Sequence, residues 1–136
     1  MKYFDELKRS MTWLGQKENT IFLGQAVAYP GTGMTNTLSE VPKQKLYEMP
    51  VNEDMQMGMS IGMALNGTIP ISIYPRWNFL ILAANQIVNH LDKLKIMSDG
   101  KYSSSYVRGS IYLWNSYQYN DAYFGFCAVG NSLTYY

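Results

Sequence analysis

The sequence has few of the residues that build covalent or metal-centred chemistry. Its 136 residues include one cysteine, Cys127, and one histidine, His90. A single cysteine cannot form an internal disulfide, which suits a reducing compartment. One histidine without a second ligand at metal-binding spacing does not make a metal site. We therefore predict that this chain alone binds no metal, and we interpret His90 as a surface or packed residue.

Charge is also scarce. Charged residues make up 15% of the chain, against about 25% in ordinary globular domains, so we predict that a partner covers part of the surface. The net charge of +1, without a stripe of Lys and Arg, argues against nucleic acid or an anionic membrane as partner. No apolar run approaches the roughly 18 residues of a membrane span, and the segment 1–10, MKYFDELKRS, has no apolar core. These features predict a cytoplasmic protein.

The apolar residues that are present follow alternating helical and extended patterns. The segments 3–14 and 78–97 repeat apolar residues at helical spacing, whereas 21–23 and 68–74 are short apolar runs typical of buried strands. Such alternation predicts an α/β fold with three layers (α/β/α) and a mostly parallel sheet. In these folds ligands bind beyond the carboxyl ends of the strands. The domain core is predicted to span residues 1–100.

The segment 48–67, EMPVNEDMQMGMSIGMALNG, combines acids, methionines and glycines. Asn52 is a plausible N-cap, and Glu53 and Asp54 fall in the first turn, where the helix dipole favours negative charge. Gly58 and Gly62 each cost about 1 kcal/mol relative to Ala inside a helix. Either these glycines pack tightly on the sheet, or they let a second helix approach closely, within the chain or across a subunit interface.

Two other features receive simpler interpretations. The GTG at 31–33 lacks the third glycine of a dinucleotide loop and the Lys of a Walker loop, so it predicts a turn. The segment 101–136 holds eight of the twelve tyrosines and only three charged residues, and it shows no clear period. We predict that it is a divergent or truncated Tyr-rich C-terminal segment, with a strand somewhere within 104–114.

Several motifs between residues 3 and 100 occur in the order and register of one family. They are Leu23-Gly24-Gln25-Ala26-Val27, Pro50-Val51-Asn52-Glu53, the Gly58 to Gly67 run of small residues, Pro70, Trp77-Asn78-Phe79, and the series Gln86, Asn89, Lys93, Met97-Ser98. Together they resemble the pyrimidine-binding domain of thiamin-diphosphate enzymes. The likeness is greatest to the beta subunit of the first component of 2-oxo-acid dehydrogenases, within the transketolase-like group.

This resemblance implies a thiamin-diphosphate-binding fold and a set of site residues. Glu53 would hydrogen-bond N1′ of the cofactor's aminopyrimidine and activate it. Trp77, with Phe79 as the second choice, would provide an aromatic wall, and Gln86 would also contact the cofactor. The family holds the diphosphate and Mg²⁺ on a different, alpha-type subunit or domain. The resemblance therefore implies a homo- or hetero-oligomer in which the cofactor lies between chains.

The sequence departs from the family pattern at three places. Gln25 replaces an acid after the Leu-Gly pair, and Ile73 occupies the register of another acid in the strand after Pro70. The likeness ends after Arg108-Gly109. Three alternatives therefore remain open beside an active dehydrogenase part: a non-catalytic interaction module that keeps the fold, a transketolase-like enzyme acting on a ketose, and an unrelated small α/β protein in which Glu53 is solvated.

Overall fold

The computed structural model describes residues 3–102, with only the backbone of Trp77, and the backbone of three strands at 110–113, 126–128 and 133–135. In chain order the elements are α1 Tyr3–Gly15, β1 Thr20–Gly24, α2 Gly33–Thr37, a 3₁₀ turn Lys43–Lys45, β2 Leu46–Glu48, α3 Glu53–Leu65, β3 Ile69–Tyr74, α4 Trp77–Leu82, a π-helical segment Gln86–Leu91, α5 Leu94–Met97, β4 Ser110–Leu113, β5 Phe126–Ala128 and β6 Leu133–Tyr135.

The strands form one sheet in the order β2-β1-β3-β4-β5-β6. The first four strands in this order pair in parallel, and β5 and β6 extend the sheet with antiparallel pairs. Phe22 is opposite both Leu46 and Ile71, so β1 lies in the middle of the parallel part. The mostly parallel sheet predicted from the alternating pattern is confirmed.

Helices cover both faces of the sheet because β3 is apolar on both sides. Ile71 and Ile73 pack with residues of α1 and of the region around α2, in a cluster that includes Met11, Phe22, Val27, Met34, Leu38 and Val41. Tyr74 points to the other face, where it packs with Met57, Ile61, Leu80 and Ala83 of α3, α4 and the turn after α4. Burying side chains of this size stabilises the fold by about 1.5–3 kcal/mol each. The predicted three-layer α/β/α arrangement is confirmed.

Local signals set both ends of α3, and the N-cap is the one predicted from the sequence. The Asn52 side-chain oxygen accepts a hydrogen bond from the Met55 N–H at 2.9 Å, which satisfies one of the free donors of the first turn. The helix stops at Asn66, and Gly67 follows with a φ of 86°, a value that glycine adopts without steric cost. Glu53 is thereby fixed as the first residue of the helix.

The segment 78–97, predicted as one long helix, is helical but interrupted. The Asp92 N–H donates to the Ile87 carbonyl at 2.9 Å, a five-residue step that marks the π-helical turn between α4 and α5. Ile87 and Leu91 still pack towards α3, beside Leu80 and Ala83. Spacings of three and four residues are compatible with α and π turns alike, so the apolar pattern predicts the face but not this change of hydrogen bonding.

The Tyr-rich segment 101–136 is described only in part. The strand predicted within 104–114 corresponds to β4, which pairs with β3. Residues 103–109, 114–125, 129–132 and 136 lie outside the described residues, and the division at residue 100 stays a prediction. Within the part that the structure describes, no helix is long and apolar enough to span a bilayer.

Candidate functional site

Three parallel strands end together at one edge of the sheet. Gly24, the last residue of β1, is opposite Glu48, the last residue of β2, and opposite Ile73 of β3. The Met49 N–H continues this pairing by donating to the Gly24 carbonyl at 2.9 Å. Since carboxyl ends of parallel strands form the usual ligand-binding edge of an α/β sheet, the residues that directly follow these strands are the candidates for a site.

Glu53 lies at this edge and is 5% exposed. Its Oε1 accepts a hydrogen bond from the Gln25 side-chain amide at 3.3 Å. Among the described residues, nothing donates to Oε2. A carboxylate with one donor has unused acceptor capacity, so a ligand that carries a proton on nitrogen could donate to it. Of the predicted site residues, Glu53 therefore has the environment that best suits a ligand-facing acid.

Tyr74, the last residue of β3, contacts the start of α3. It is fully buried, and its hydroxyl donates to the Glu53 backbone carbonyl at 3.4 Å. Burial raises the pKa of Tyr74 from 10.0 to about 12, the Ser72 hydroxyl acts in the opposite direction, and the charges of Glu53 and Asp54 add to the rise. The phenol therefore stays neutral at physiological pH and acts as a hydrogen-bond donor beneath the first turn of α3.

Gln86 is hydrogen-bonded to Asp54 in the first turn of α3. Its Nε2 donates to Asp54 Oδ2 at 3.2 Å, while the buried Oδ1 of Asp54 has no hydrogen-bond partner within the described part. A Cβ added at Gly58 would lie 3.5 Å from Gln86 Oε1, so Gln86 packs across this glycine. The sequence indicated only a helix-start charge for Asp54 and missed this contact. At Gly58 the neighbour is therefore the helical segment that begins at Gln86, not the sheet, and an added Cβ would make an ordinary van der Waals contact with it.

The two aromatic residues of the predicted site belong to α4. Phe79 is half-buried, and the Arg76 guanidinium carbon lies 5.9 Å from the centre of its ring. Trp77 begins α4, and its side chain lies outside the described atoms. The structure thus brings Glu53 and Gln86 to the first turn of α3, and it places Trp77 and Phe79 on the helix that follows β3.

The side chains at this edge are organic acids, amides and a phenol rather than a set of metal ligands. In the ranges that the structure describes, no group of three or more His, Cys, Asp or Glu residues could hold a metal ion. Glu48 is a further polar residue of the edge that sequence reasoning missed. Its carboxylate accepts hydrogen bonds from the backbone N–H groups of Ala26 and Ala28.

Fold and site together define an α/β domain with a buried carboxylate at the carboxyl edge of a parallel sheet. No family model matches the chain. Curated relatives do match: subunits beta of the pyruvate dehydrogenase E1 component from Gracilaria tenuistipitata var. liui (33% identical, 73% of this chain and 32% of the relative), Cyanidium caldarium (30%, 66% and 28%) and Porphyra purpurea (31%, 74% and 31%).

These matches show that the chain is related in sequence to E1 beta subunits, which confirms the resemblance inferred from the ordered motifs. The matched segment has 103 residues for the Gracilaria protein and 104 for the Porphyra protein. The chain spans about a third of the length of these relatives. Relationship to part of a subunit is therefore established, whereas an activity of the kind that the relatives' names describe is a matter for proposal.

Proposed function

We propose that this chain is the pyrimidine-binding part of a thiamin-diphosphate-dependent enzyme that acts on a 2-oxo acid. The observation that carries the proposal is the burial of Glu53 at the carboxyl edge of β1 to β3, in a chain related to E1 beta subunits. An unrelated small α/β protein with a solvated Glu53 is disfavoured by the same observation.

The residues at this edge fit an aminopyrimidine. Glu53 has one oxygen occupied by Gln25 and the other free of donors within the described residues, so it can take a hydrogen bond from a ring nitrogen that carries a proton. Gln25 and the Tyr74 hydroxyl hold the first turn of α3 from two sides. A largely buried carboxyl group placed against a ring nitrogen can exchange a proton with it as a general acid–base group.

The remaining residues of the proposed site orient the ring. Phe79 and Trp77 are proposed to provide the apolar wall, since a flat heteroaromatic ring packs well against an aromatic side chain. Gln86 is proposed to contact the cofactor from the side of Asp54, to which it is hydrogen-bonded. When bound, thiamin diphosphate supplies the carbon nucleophile that attacks the carbonyl of a 2-oxo acid, and the chain supplies the proton at N1′.

The proposal requires a partner. We propose that an alpha-type subunit or domain holds the diphosphate and Mg²⁺, and that the cofactor lies between the two chains of an oligomer. Supporting this, the relatives are named as one subunit of a component. A cytoplasmic location is proposed on the sequence features alone.

The test uses the full chain reconstituted with an alpha-type subunit, thiamin diphosphate and Mg²⁺. Calorimetry measures cofactor binding, and turnover is followed with a 2-oxo acid. We expect binding and turnover, and a loss of at least about 10²-fold in kcat for Glu53→Gln, because a placed proton-transfer group typically contributes 10²–10⁴-fold. Glu18→Gln is the matched control, since Glu18 is exposed in the turn before β1, at the opposite end of the strand.

The outcomes separate the alternatives. A Glu53→Gln variant with full activity would exclude the proposed role of Glu53. An intact assembly that binds no cofactor would favour a non-catalytic interaction module. Turnover of a ketose in place of a 2-oxo acid would identify transketolase-like transfer.

A further inference from the structure

The loop after β1 is held in an unusual backbone conformation by one side chain. Ala26 has a φ of 55°, in the left-handed region that costs a residue with a Cβ about 1–2 kcal/mol. Both carboxylate oxygens of Glu48 accept from this loop, Oε1 from the Ala26 N–H at 2.5 Å and Oε2 from the Ala28 N–H at 2.9 Å. Two charge-assisted bonds of this kind are strong enough to offset such a cost.

The loop has further attachments that define its path. The Thr35 hydroxyl donates to the Ala26 carbonyl at 3.3 Å. On the strand side, the backbone of Met49 is tied to Gly24 at 2.9 Å, which keeps Glu48 directly beside the start of the loop. Ala26 is thus bound through its N–H and its carbonyl, which fixes the backbone from which the Gln25 side chain starts.

That direction matters because Gln25 is the donor that contacts Glu53. The amide of Gln25 lies 3.3 Å from Glu53 Oε1, and it belongs to the residue immediately before the left-handed turn. If Ala26 returned to an ordinary conformation, the peptide plane between the two residues would rotate and the Gln25 side chain would leave Glu53. Glu48 is therefore linked to Glu53 through two residues, although Glu48 itself does not contact Glu53.

We propose that Glu48 is a positioning residue for the site: by holding the backbone of Ala26 and Ala28, it keeps the Gln25 amide on the Glu53 carboxylate. Its importance for cofactor binding rests on the proposed function, whereas the link from Glu48 to Gln25 does not. Glu48 touches neither the cofactor nor the reacting atoms in this proposal. It acts only through the position of Gln25.

The test replaces Glu48 by Gln, which has one carbonyl oxygen and no charge and so cannot hold both N–H groups as the carboxylate does. Glu18→Gln is again the matched control. The first measurement is made on the full chain without cofactor, by NMR: amide hydrogen exchange at Ala26 and Ala28, and the side-chain NH₂ resonances of Gln25. The second is the dissociation constant of thiamin diphosphate with Mg²⁺ for the chain reconstituted with an alpha-type subunit.

In Glu48→Gln we expect exchange at Ala26 and Ala28 to rise by about tenfold or more, the range expected for loss of a charged hydrogen bond. The Gln25 NH₂ resonances should move in the same direction as in Glu53→Gln, and the dissociation constant should rise about tenfold. In a Gln25→Ala background, Glu48→Gln should have no further effect on that constant, because interacting residues are not additive.

The proposal is overturned if Glu48→Gln leaves the Gln25 resonances and the two exchange rates as in the wild type. It is also overturned if Glu48→Gln weakens cofactor binding equally with and without Gln25, since Glu48 would then act by another route. If the NMR changes occur but the wild-type pair binds no thiamin diphosphate, the positioning by Glu48 is supported and the proposed function fails.

Discussion

Gln25 and Glu53 meet at the carboxyl edge of the sheet, with Gln25 Nε2 3.3 Å from Glu53 Oε1, although 28 positions separate them in the chain. The family that the motifs resemble has an acid where this chain has Gln25. An amide donates a hydrogen bond to Glu53 without adding a second negative charge, and it cannot pass a proton on by ionising. Residue 25 therefore donates to Glu53 in this chain without placing a second ionisable group beside it.

Gly24 and Gly62 should respond to alanine in opposite ways. A Cβ at Gly24 would lie 2.6 Å from the Ile73 carbonyl oxygen, which is backbone and cannot move cheaply, whereas nothing lies within 4 Å of a Cβ at Gly62. We expect Gly24→Ala to lower the free energy of unfolding by roughly 1–3 kcal/mol. Gly62→Ala should raise it by up to about 1 kcal/mol, because alanine favours the helix. Urea denaturation measures both, and equal effects would contradict the packing described.

The amide of Gln56 is expected to be important for stability. It is 1% exposed, and its Nε2 lies 2.9 Å from Ser72 Oγ, 3.1 Å from the Ile73 carbonyl and 3.3 Å from the Leu23 carbonyl. Gln56→Ala leaves a cavity and deprives these acceptors of a donor, so we expect a loss of roughly 2–4 kcal/mol. The exposed Gln44→Ala should stay within about 0.5 kcal/mol of the wild type. Similar denaturation midpoints for the two variants would disprove this role of Gln56.

The raised pKa of the buried Tyr74 phenol predicts that the free energy of unfolding falls at alkaline pH. Its pKa is raised by burial from 10.0 to about 12, so the unfolded chain releases this proton before the folded chain does. The corresponding stability is complete below about pH 10 and is lost as the pH rises towards about 12. Tyr74→Phe should remove this part of the pH dependence, and the exposed Tyr29→Phe should not. Denaturation series between pH 8 and pH 12 check it, and identical slopes for both variants would contradict the assignment.

Replacing Ala26 or Ala28 by glycine should change stability differently, because the two alanines have different backbone conformations. Glycine at Ala26 relieves the left-handed φ of 55°, which offsets the entropy that glycine adds to the unfolded chain. Ala28 has no positive φ, so Ala28→Gly gains nothing in return. We expect Ala26→Gly to be more stable than Ala28→Gly by about 1–2 kcal/mol. Thermal denaturation of both variants measures the difference, and no difference would mean that the turn is not strained.

Some features were predictable because their causes are local. Asn52, Asn66 and Gly67 mark the ends of α3 through bonds and backbone angles within a few residues, so the helix from Glu53 to Leu65 agrees with the sequence pattern. The apolar run of β3 is likewise explained by its own residues. The order of these elements was sufficient to predict a mostly parallel sheet, since long crossover connections that contain a helix join parallel strands.

Other features depend on which distant residues meet. The π-helical turn at Gln86–Leu91 leaves no trace in apolar spacing, because α and π turns place similar residues towards α3. The hydrogen bond from Gln86 to Asp54 joins residues 32 positions apart in the chain. The bond from the Ala26 N–H to Glu48 joins residues 22 positions apart. These bonds exist only once the sheet has brought the strand ends together.

The sequence by itself determined the class of fold and the relationship to E1 beta subunits, and it provided Glu53 as a candidate site residue, because these follow from ordered residues and local propensities. Only the tertiary structure decided how Glu53 is buried and which groups surround it. Burial and hydrogen bonding at a strand edge depend on the register of β1, β2 and β3, which no single segment encodes. The environment of the carboxylate is therefore a property of the assembled sheet.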